Sequence, residues 1–190
     1  MRKKHMEKKT SGLILAGGCS SRMGRDKAEL EYGGKSFLRH QIEKLRRLGI
    51  EDIVVAGREE EIPGCRCVPD RFPHRGPLGG LQAGLAAIRE ERALVTAVDT
   101  PLLPEDLLLE LLARHRGGIT LASCRGRLEP LIGVYDRTVA ERCGELLAGE
   151  DRSLRHLLRS CGFREVEYTG DPALLMNCNT PDEYETLMQK

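Results

Sequence analysis

Residues 13–30 read Leu-Ile-Leu-Ala-Gly-Gly-Cys-Ser-Ser-Arg-Met-Gly-Arg-Asp-Lys-Ala-Glu-Leu. The apolar start of this stretch is typical of a buried β-strand, and the glycines and hydroxyl residues that follow it end the strand. Apolar character returns only at the end of the stretch. The order predicts a strand that runs into an anion-binding loop, and this unit is the start of the α/β fold predicted below.

The loop has the residue types that bind phosphate. Gly17, Gly18 and Gly24 have no Cβ, so the backbone can take a positive φ and approach a ligand closely. Successive N–H groups in such a turn form a concave site of positive potential. Arg22 adds a planar donor fork and Lys27 adds a mobile point charge. The alternative is a tight turn between a strand and a helix with two solvated basic residues.

Spacing excludes two better-known phosphate loops. A Walker loop needs a glycine five residues before Gly-Lys-Ser, and Glu29 occupies that place relative to residues 34–36. The dinucleotide fingerprint needs glycines where Cys19 and Arg22 stand. The chain therefore has neither motif after its first strand.

Length and charge limit the class of protein. A chain of 190 residues is long enough for one domain with a full core. Its 30 Lys and Arg residues nearly balance its 29 Asp and Glu residues, which gives a net charge of +1. Because a duplex-binding surface would show a basic excess, nucleic acid is not expected as a partner, whereas a small anion is.

The seven cysteines are scattered without the paired spacing of zinc sites or of a disulfide framework. They predict reduced thiols and a cytoplasmic protein. No apolar stretch reaches membrane length, and the charged first residues lack the apolar core of a signal peptide. We expect no membrane partner, a disordered tail over residues 1–10 and one domain over residues 11–190.

Apolar periodicity predicts an alternation of strands and helices. Gly33-Gly34 is predicted to be a turn, and Ser36 to cap the helix that follows it. After the first strand, we expect strands at 52–56, 67–69, 93–98, 119–123, 131–135 and 163–168, and helices at 37–48, 81–88, 104–114, 138–147, 154–161 and after Pro181. This alternation indicates the α/β class, with a doubly wound, mainly parallel sheet.

Ligands of such sheets bind beyond the carboxyl ends of the strands. The glycine loop, Asp70 and Asp99 each follow a predicted strand, so we expect them along one edge. Asp99 ends an almost wholly apolar run, and a carboxylate that faces a phosphate loop can be the oxygen ligand of an Mg²⁺–nucleotide complex. The alternative is that Asp99 only caps the next helix, which would contribute about 1 kcal/mol.

Four stretches resemble the molybdenum cofactor guanylyltransferases, a family of nucleotidyltransferases with a Rossmann-like fold. They are Leu-Ala-Gly-Gly-Cys-Ser-Ser-Arg-Met-Gly-Arg-Asp-Lys-Ala-Glu-Leu, Gly-Pro-Leu-Gly-Gly-Leu, Val-Asp-Thr-Pro-Leu-Leu-Pro and Asn-Cys-Asn-Thr-Pro-Asp-Glu. They occur in family order and extend the resemblance over nearly the whole chain, from residue 13 to residue 183. The first stretch is the most specific of the four.

The resemblance implies transfer of GMP from Mg·GTP to the phosphate of the molybdopterin cofactor, with release of pyrophosphate. It implies catalytic roles for Arg22, Lys27 and Asp99, with Asp99 as the Mg²⁺ ligand. The nucleotide-binding residues that it implies are Leu15, Ala16, Gly17, Gly18, Lys27, Asp70, Gly79 and Asp99. On the acceptor side it implies Asn177 and Asn179, together with a loop that has Arg125, Arg127 and Glu129-Pro130. Proteins of molybdoenzyme assembly are implied as partners.

Several of these residues have ordinary alternatives. Asp70 could be a turn residue, and the two asparagines could be polar turn formers before Pro181. Two arginines in a glycine-bearing loop are also common on a protein surface.

One departure from the family concerns the base. The family often has an asparagine at the end of the second strand near the guanine, where this chain has Val55-Ala56-Gly57. Base selection would then depend more on backbone groups.

Three alternatives differ in activity. Cytidylyl relatives typically have Ala-Ala-Gly in the loop and proline before the lysine, whereas this chain has Ala16-Gly17-Gly18 and Asp26-Lys27, which favours GTP. Sugar-phosphate nucleotidyltransferases share the loop but usually have longer chains. The third alternative is a non-catalytic nucleotide-binding partner in molybdoenzyme assembly, which would not need the metal-binding aspartate.

Overall fold

A computed structural model of the chain describes residues 9–17, 26–70, 76–149 and 151–189. The strands are β1 (Ser11–Leu15), β2 (Glu31–Tyr32), β3 (Lys35–Ser36), β4 (Ile53–Ala56), β5 (Arg66–Val68), β6 (Arg92–Ala97), β7 (Ile119–Cys124), β8 (Arg127–Asp136) and β9 (Arg164–Glu167). The helices are α1 (Phe37–Arg47), α2 (Pro77–Ala87), α3 (Glu105–Arg114), α4 (Val139–Ala148), α5 (Leu154–Cys161) and α6 (Pro181–Met188). Most of the predicted tail, residues 1–8, lies outside the described residues.

Seven strands form one sheet in the order β5-β4-β1-β6-β8-β7-β9. Strands β5, β4, β1 and β6 are mutually parallel, and β9 is parallel to β7. Strand β8 is antiparallel to both of its neighbours, and a tight turn at Arg125-Gly126 joins it to β7. The predicted α/β class with a mainly parallel sheet is confirmed.

Helices cover both faces of the sheet. Alternate residues of β1 point to opposite faces, with Ile14 in one apolar cluster and Leu13 in the other. One cluster packs α1 and α3 against the sheet, for example through Phe37 and Leu107. The other packs α2, α4 and α5, for example through Leu81. The doubly wound arrangement therefore follows from strands that are apolar on both faces.

The start of α1 follows local rules. Gly33 and Gly34 have positive φ values of 57° and 78° and turn the β2–β3 hairpin. The Ser36 hydroxyl accepts a hydrogen bond from the Arg39 N–H at 3.2 Å, which caps α1 as predicted.

The predicted start of α2 at residue 81 was wrong. The helix begins at Pro77, where a missing N–H costs nothing, so Gly79 and Gly80 lie in its first turn. Glycine at position 84 is required by packing, because a Cβ there would lie 2.3 Å from a methyl carbon of Leu13. The glycines made this segment resemble a loop, although they bring the helix close to β1.

The sequence predicts neither disulfides nor a membrane-spanning segment, and the described residues bear on both points. The six cysteines among them are all free thiols. In the parts of the chain that the structure describes, no helix is long and apolar enough to cross a membrane.

Candidate active site at the carboxyl ends of the strands

The strand directions explain why predicted site residues lie along one edge of the sheet. Because β1, β5 and β6 are parallel members of one sheet, their carboxyl ends lie at the same edge. Gly17, Asp70 and Asp99 each follow one of these ends. The predicted site residues Gly18 and Arg22 lie outside the described residues.

Three predicted site residues from distant parts of the sequence meet at this edge. Lys27 Nζ donates to Asp99 Oδ2 at 3.0 Å and also to Asn179 Oδ1. The side chains of Lys27 and Asp99 are only 22% and 15% exposed, so the pair is partly shielded from water. We call Lys27, Asp99 and Asn179 the Lys-Asp-Asn cluster. It joins the glycine-rich loop, the end of β6 and the segment before α6.

The turn that carries Asp99 is fixed by two buried polar side chains of α1. Gln41 Nε2 donates to the Thr100 carbonyl at 2.7 Å, and Lys44 Nζ donates to the Pro101 carbonyl at 3.1 Å. Burial lowers the pKa of Lys44 to about 8. Neither residue was predicted from the sequence, although both lie on the helix face of Phe37, four and seven positions after it.

Asp99 does not cap the next helix, which excludes that alternative. Helix α3 begins at Glu105 with Pro104 at its N-cap position. The Asp99 carbonyl instead accepts a hydrogen bond from the Cys178 N–H at 2.8 Å. This bond ties the Asn177-Cys178-Asn179 segment to the end of β6.

A capping box fixes the other side of that segment. Glu183 Oε2 accepts from the N–H groups of Asn179 at 2.6 Å and Thr180 at 3.0 Å, and the Glu183 N–H donates to the Thr180 hydroxyl. Thr-x-x-Glu is the sequence signature of this box, and it could have identified Glu183 as the residue that orients Asn179. Among the described residues, no hydrogen bond or ion pair joins Asn177 to the Lys-Asp-Asn cluster.

The backbone at the end of β1 is hydrogen-bonded to the ends of β4 and β6 on either side of it. The Ala16 N–H donates to the Ala56 carbonyl at 2.9 Å, and the Leu15 carbonyl accepts from the Val98 N–H at 3.0 Å. Gly17 packs against Gly57, where an added Cβ would lie 2.3 Å from the Gly17 Cα. Gly57 also has a φ of +90°, so a side chain at this position is excluded twice.

Two predicted nucleotide contacts lie at the same edge outside the Lys-Asp-Asn cluster. Gly79 is buried in the first turn of α2, and the next residue, Gly80, faces Leu15 and Ala56 at van der Waals distance. Asp70 is half-buried just beyond the end of β5.

The predicted acceptor loop divides into an exposed tip and a half-buried carboxylate. Arg125 and Arg127 are exposed at the β7–β8 turn, whereas Glu129 is largely enclosed. Burial raises the pKa of Glu129; Arg127, at 3.4 Å, opposes this rise and the nearby Asp99 charge adds to it. The register of β8 shifts beside Glu129, and a bulge of this kind can direct a side chain toward a site.

The donor set suits a metal that takes one carboxylate from the protein. Across the described ranges, no group of three or more His, Cys, Asp or Glu side chains could hold a metal ion. Asp99 already contacts one cation, the Lys27 ammonium. Mg²⁺ often binds through one or two carboxylates and fills its octahedron with waters and substrate phosphates, so Asp99 fits such an ion.

Comparisons with known proteins identify the family of the chain. Residues 12–167 match the family model of the MobA-like NTP transferase domain. The chain is 36% identical to a molybdenum cofactor guanylyltransferase of Xanthomonas euvesicatoria pv. vesicatoria, over 97% of both chains. It is 35% identical to a protein of the same name from Rhizobium johnstonii, over 91% of this chain and 88% of that one.

A solved structure supports the fold. The molybdopterin-guanine dinucleotide biosynthesis protein A of Archaeoglobus fulgidus superimposes with a TM-score of 0.78 at 19% identity, over 95% of this chain and 97% of that one. The sheet order, the matched family model and the relatives in sequence together place this chain in the MobA-like NTP transferase domain family, as a nucleotidyltransferase.

Proposed function

We propose that the protein transfers GMP from Mg·GTP to the terminal phosphate of the molybdopterin cofactor and releases pyrophosphate. The Lys-Asp-Asn cluster supports this most strongly, because it joins a loop suited to phosphate, a carboxylate suited to Mg²⁺ and the segment assigned to the acceptor. The names of the sequence relatives suggest the two substrates.

The transfer is a displacement at the α-phosphorus of GTP. An oxygen of the acceptor phosphate forms the new P–O bond, and the bond to the α,β-bridging oxygen breaks with its electron pair leaving on pyrophosphate. A phosphomonoester is largely ionised near neutral pH, so attack needs no strong general base. The protein contributes mainly alignment and neutralisation of charge.

Each residue of the Lys-Asp-Asn cluster has one task in this reaction. Asp99 binds Mg²⁺, which when bound supplies a Lewis acid and a template for the phosphate oxygens. Lys27 places its ammonium among the phosphates and offsets their negative charge. Asn179 orients that ammonium and, with Asn177, faces the acceptor. Arg22 is assigned to the phosphates by its place in the loop.

Base and ribose contacts fall to the surrounding backbone. Leu15, Ala16, Gly17 and Gly18 present main-chain groups to the nucleotide, while Asp70 and the α2 turn at Gly79 flank it. Because Gly57 has no room for a side chain, main-chain groups at the end of β4 would select guanine. The free thiols are in keeping with a reaction in the cytoplasm, where proteins of molybdoenzyme assembly would receive the product.

The test is pyrophosphate release with Mg²⁺ and each of GTP, CTP, ATP and UTP, with and without molybdate-loaded molybdopterin. We expect pyrophosphate release only when GTP and the pterin are both present. Release with CTP would assign a cytidylyltransferase, and release with a sugar phosphate in place of the pterin would assign that class. Nucleotide binding without release under any of these conditions would indicate a non-catalytic partner.

A further inference from the structure

Two residues at the end of β4 contact both sides of the segment 18–25. Gly57 packs against Gly17, which precedes that segment. Arg58 Nη2 lies 2.5 Å from Asp26 Oδ2, which follows it. Position 57 therefore packs against the residue before this segment, and position 58 pairs with the residue after it.

Asp26 directly precedes Lys27 and caps the turn that contains it. Its Oδ1 accepts from the Ala28 N–H at 3.0 Å and caps the 3₁₀ turn Lys27–Glu29. Its other carboxylate oxygen faces Arg58. One carboxylate thus shapes the turn with one oxygen and anchors it to β4 with the other.

Arg58 is an unusual residue to find this enclosed. Its side chain is 10% exposed, and in the described parts of the chain neither its Nε nor its Nη2 makes a hydrogen bond, so its contact with Asp26 is an ion pair. A buried N–H without a partner costs about 1–3 kcal/mol. Its second ion pair, to Glu60 at 2.9 Å, involves a carboxylate that is 54% exposed and contributes little. The Asp26 carboxylate is itself 40% exposed, but unlike Glu60 it also caps the turn Lys27–Glu29, so this ion pair is the one that connects Arg58 to the turn.

We propose that Arg58 is a positioning residue for Lys27: by pairing with Asp26, it holds the turn Lys27–Glu29 where the Lys27 ammonium reaches Asp99 and the phosphates. The phosphate part of this statement rests on the proposed function. The anchoring of the turn is independent of it, because the contacts involved are all within the chain.

The first experiment is amide hydrogen exchange of the protein without nucleotide. The Glu29 and Leu30 N–H groups close the turn through the carbonyls of Asp26 and Lys27. In Arg58→Met we expect their exchange to rise at least about tenfold relative to wild type, because local opening becomes easier. Asp26→Asn should give a similar rise, since it removes the charge that faces Arg58 and keeps the Oδ1 that caps the turn.

The matched control is Glu60→Gln, which breaks the other ion pair of the same arginine. It should leave exchange at Glu29 and Leu30 unchanged. Unchanged exchange in both Arg58→Met and Asp26→Asn would overturn the proposal, and so would an equal rise in the control. None of these results depends on the identity of the substrate.

The second experiment asks whether Arg58 acts through Lys27. We expect Arg58→Met to weaken Mg·GTP binding about tenfold in the wild-type background, and to have no further effect in a Lys27→Met background. If Arg58 acted independently of Lys27, Arg58→Met would weaken Mg·GTP binding by the same factor in the Lys27→Met background. That result would refute the coupling. If wild type bound no nucleotide at all, the proposed function would fail while the exchange result still decided the anchoring.

Discussion

Two aspartates lie at opposite edges of the same sheet and have nearly the same burial. Asp99 follows β6 at the carboxyl edge and its side chain is 15% exposed; Asp52 precedes β4 at the amino edge and is 11% exposed. Asp99 contacts one mobile ammonium, that of Lys27. The Asp52 carboxylate accepts from the Ser11 hydroxyl, the Arg66 guanidinium and the Arg89 N–H at 2.5, 2.6 and 3.0 Å.

The difference shows that burial alone does not separate a structural carboxylate from a functional one. The donors of Asp52 come from three segments and include a main-chain group, so the carboxylate joins β1, β5 and the region after α2. The partner of Asp99 is a single lysine ammonium, which an incoming cation can replace. We therefore expect substitution of Asp99 to change chemistry and substitution of Asp52 to change stability.

The largest expected effect belongs to Asp99→Asn. Loss of the metal-binding charge should lower the rate of pyrophosphate release by about 10²-fold or more. GTP binding in metal-free buffer should largely survive, and the free energy of unfolding should change by less than about 1 kcal/mol. Steady-state kinetics and urea unfolding on one preparation measure both quantities. Full activity in this variant would remove Asp99 from the mechanism.

Asp52→Asn should show the opposite pattern. Replacing a carboxylate that accepts three hydrogen bonds should lower the free energy of unfolding by about 2 kcal/mol. Turnover of the folded enzyme should stay within about twofold of wild type, since ligands of such sheets bind at the opposite, carboxyl edge. Glu105→Gln, which breaks an exposed ion pair with Arg47, is the control and should change stability by less than about 1 kcal/mol. A stable but inactive Asp52→Asn protein would reverse the comparison.

A smaller effect is expected for Asn179→Ala. Lys27 would lose one of its two oxygen contacts and keep Asp99, so kcat/KM should fall by about tenfold, less than for Asp99→Asn. Kinetics at varied GTP and varied acceptor measure this fall. A loss as large as that of Asp99→Asn would mean that Asn179 contacts the reacting groups itself.

The smallest expected effect is the contribution of Asp52 to the pH dependence of the free energy of unfolding. Burial raises the pKa of Asp52, but the hydrogen bonds from Ser11, Arg89 and Arg66 outweigh it, so the pKa lies below its ordinary value of 3.8. Because the folded-state pKa is the lower one, this stabilisation is complete above pH 3.8 and decreases as the pH falls through the folded-state value.

Urea unfolding at several pH values gives the free energy of unfolding of wild type and of Asp52→Asn. The difference between them isolates Asp52, because the other carboxylates contribute equally to both proteins. The advantage of wild type should be constant between about pH 5 and 7 and should shrink as the pH falls below about 4. A difference that does not change with pH would show that the charge of Asp52 adds nothing to stability.

Local patterns predicted much of the fold. The buried runs of β1 and β6, the Ser36 cap and the turn at Gly33-Gly34 follow from neighbouring residues, and the structure confirms them. The start of α2 was misjudged because glycines that serve helix packing resemble a loop until the partner strand is known.

The site was predictable only in part. The parallel strand directions explain why Asp99 and Gly17 lie at the same edge of the sheet, because parallel strands end together. The contacts themselves join residues 72 and 152 positions apart in sequence, and no local pattern contains such pairs. The Asp26–Arg58 pair had no sequence signal for the same reason, whereas Gln41 and Lys44 could have been found as polar residues on an apolar helix face.

The most direct test of the account follows the phosphorus atoms of GTP. The enzyme is incubated with Mg²⁺, molybdate-loaded molybdopterin and GTP carrying ³²P at either the α or the γ position, and the products are separated. We predict that the α label appears in the pterin guanine dinucleotide and the γ label in pyrophosphate. An α label that stays in free GMP or GDP, with no labelled pterin, would contradict guanylyl transfer by this protein.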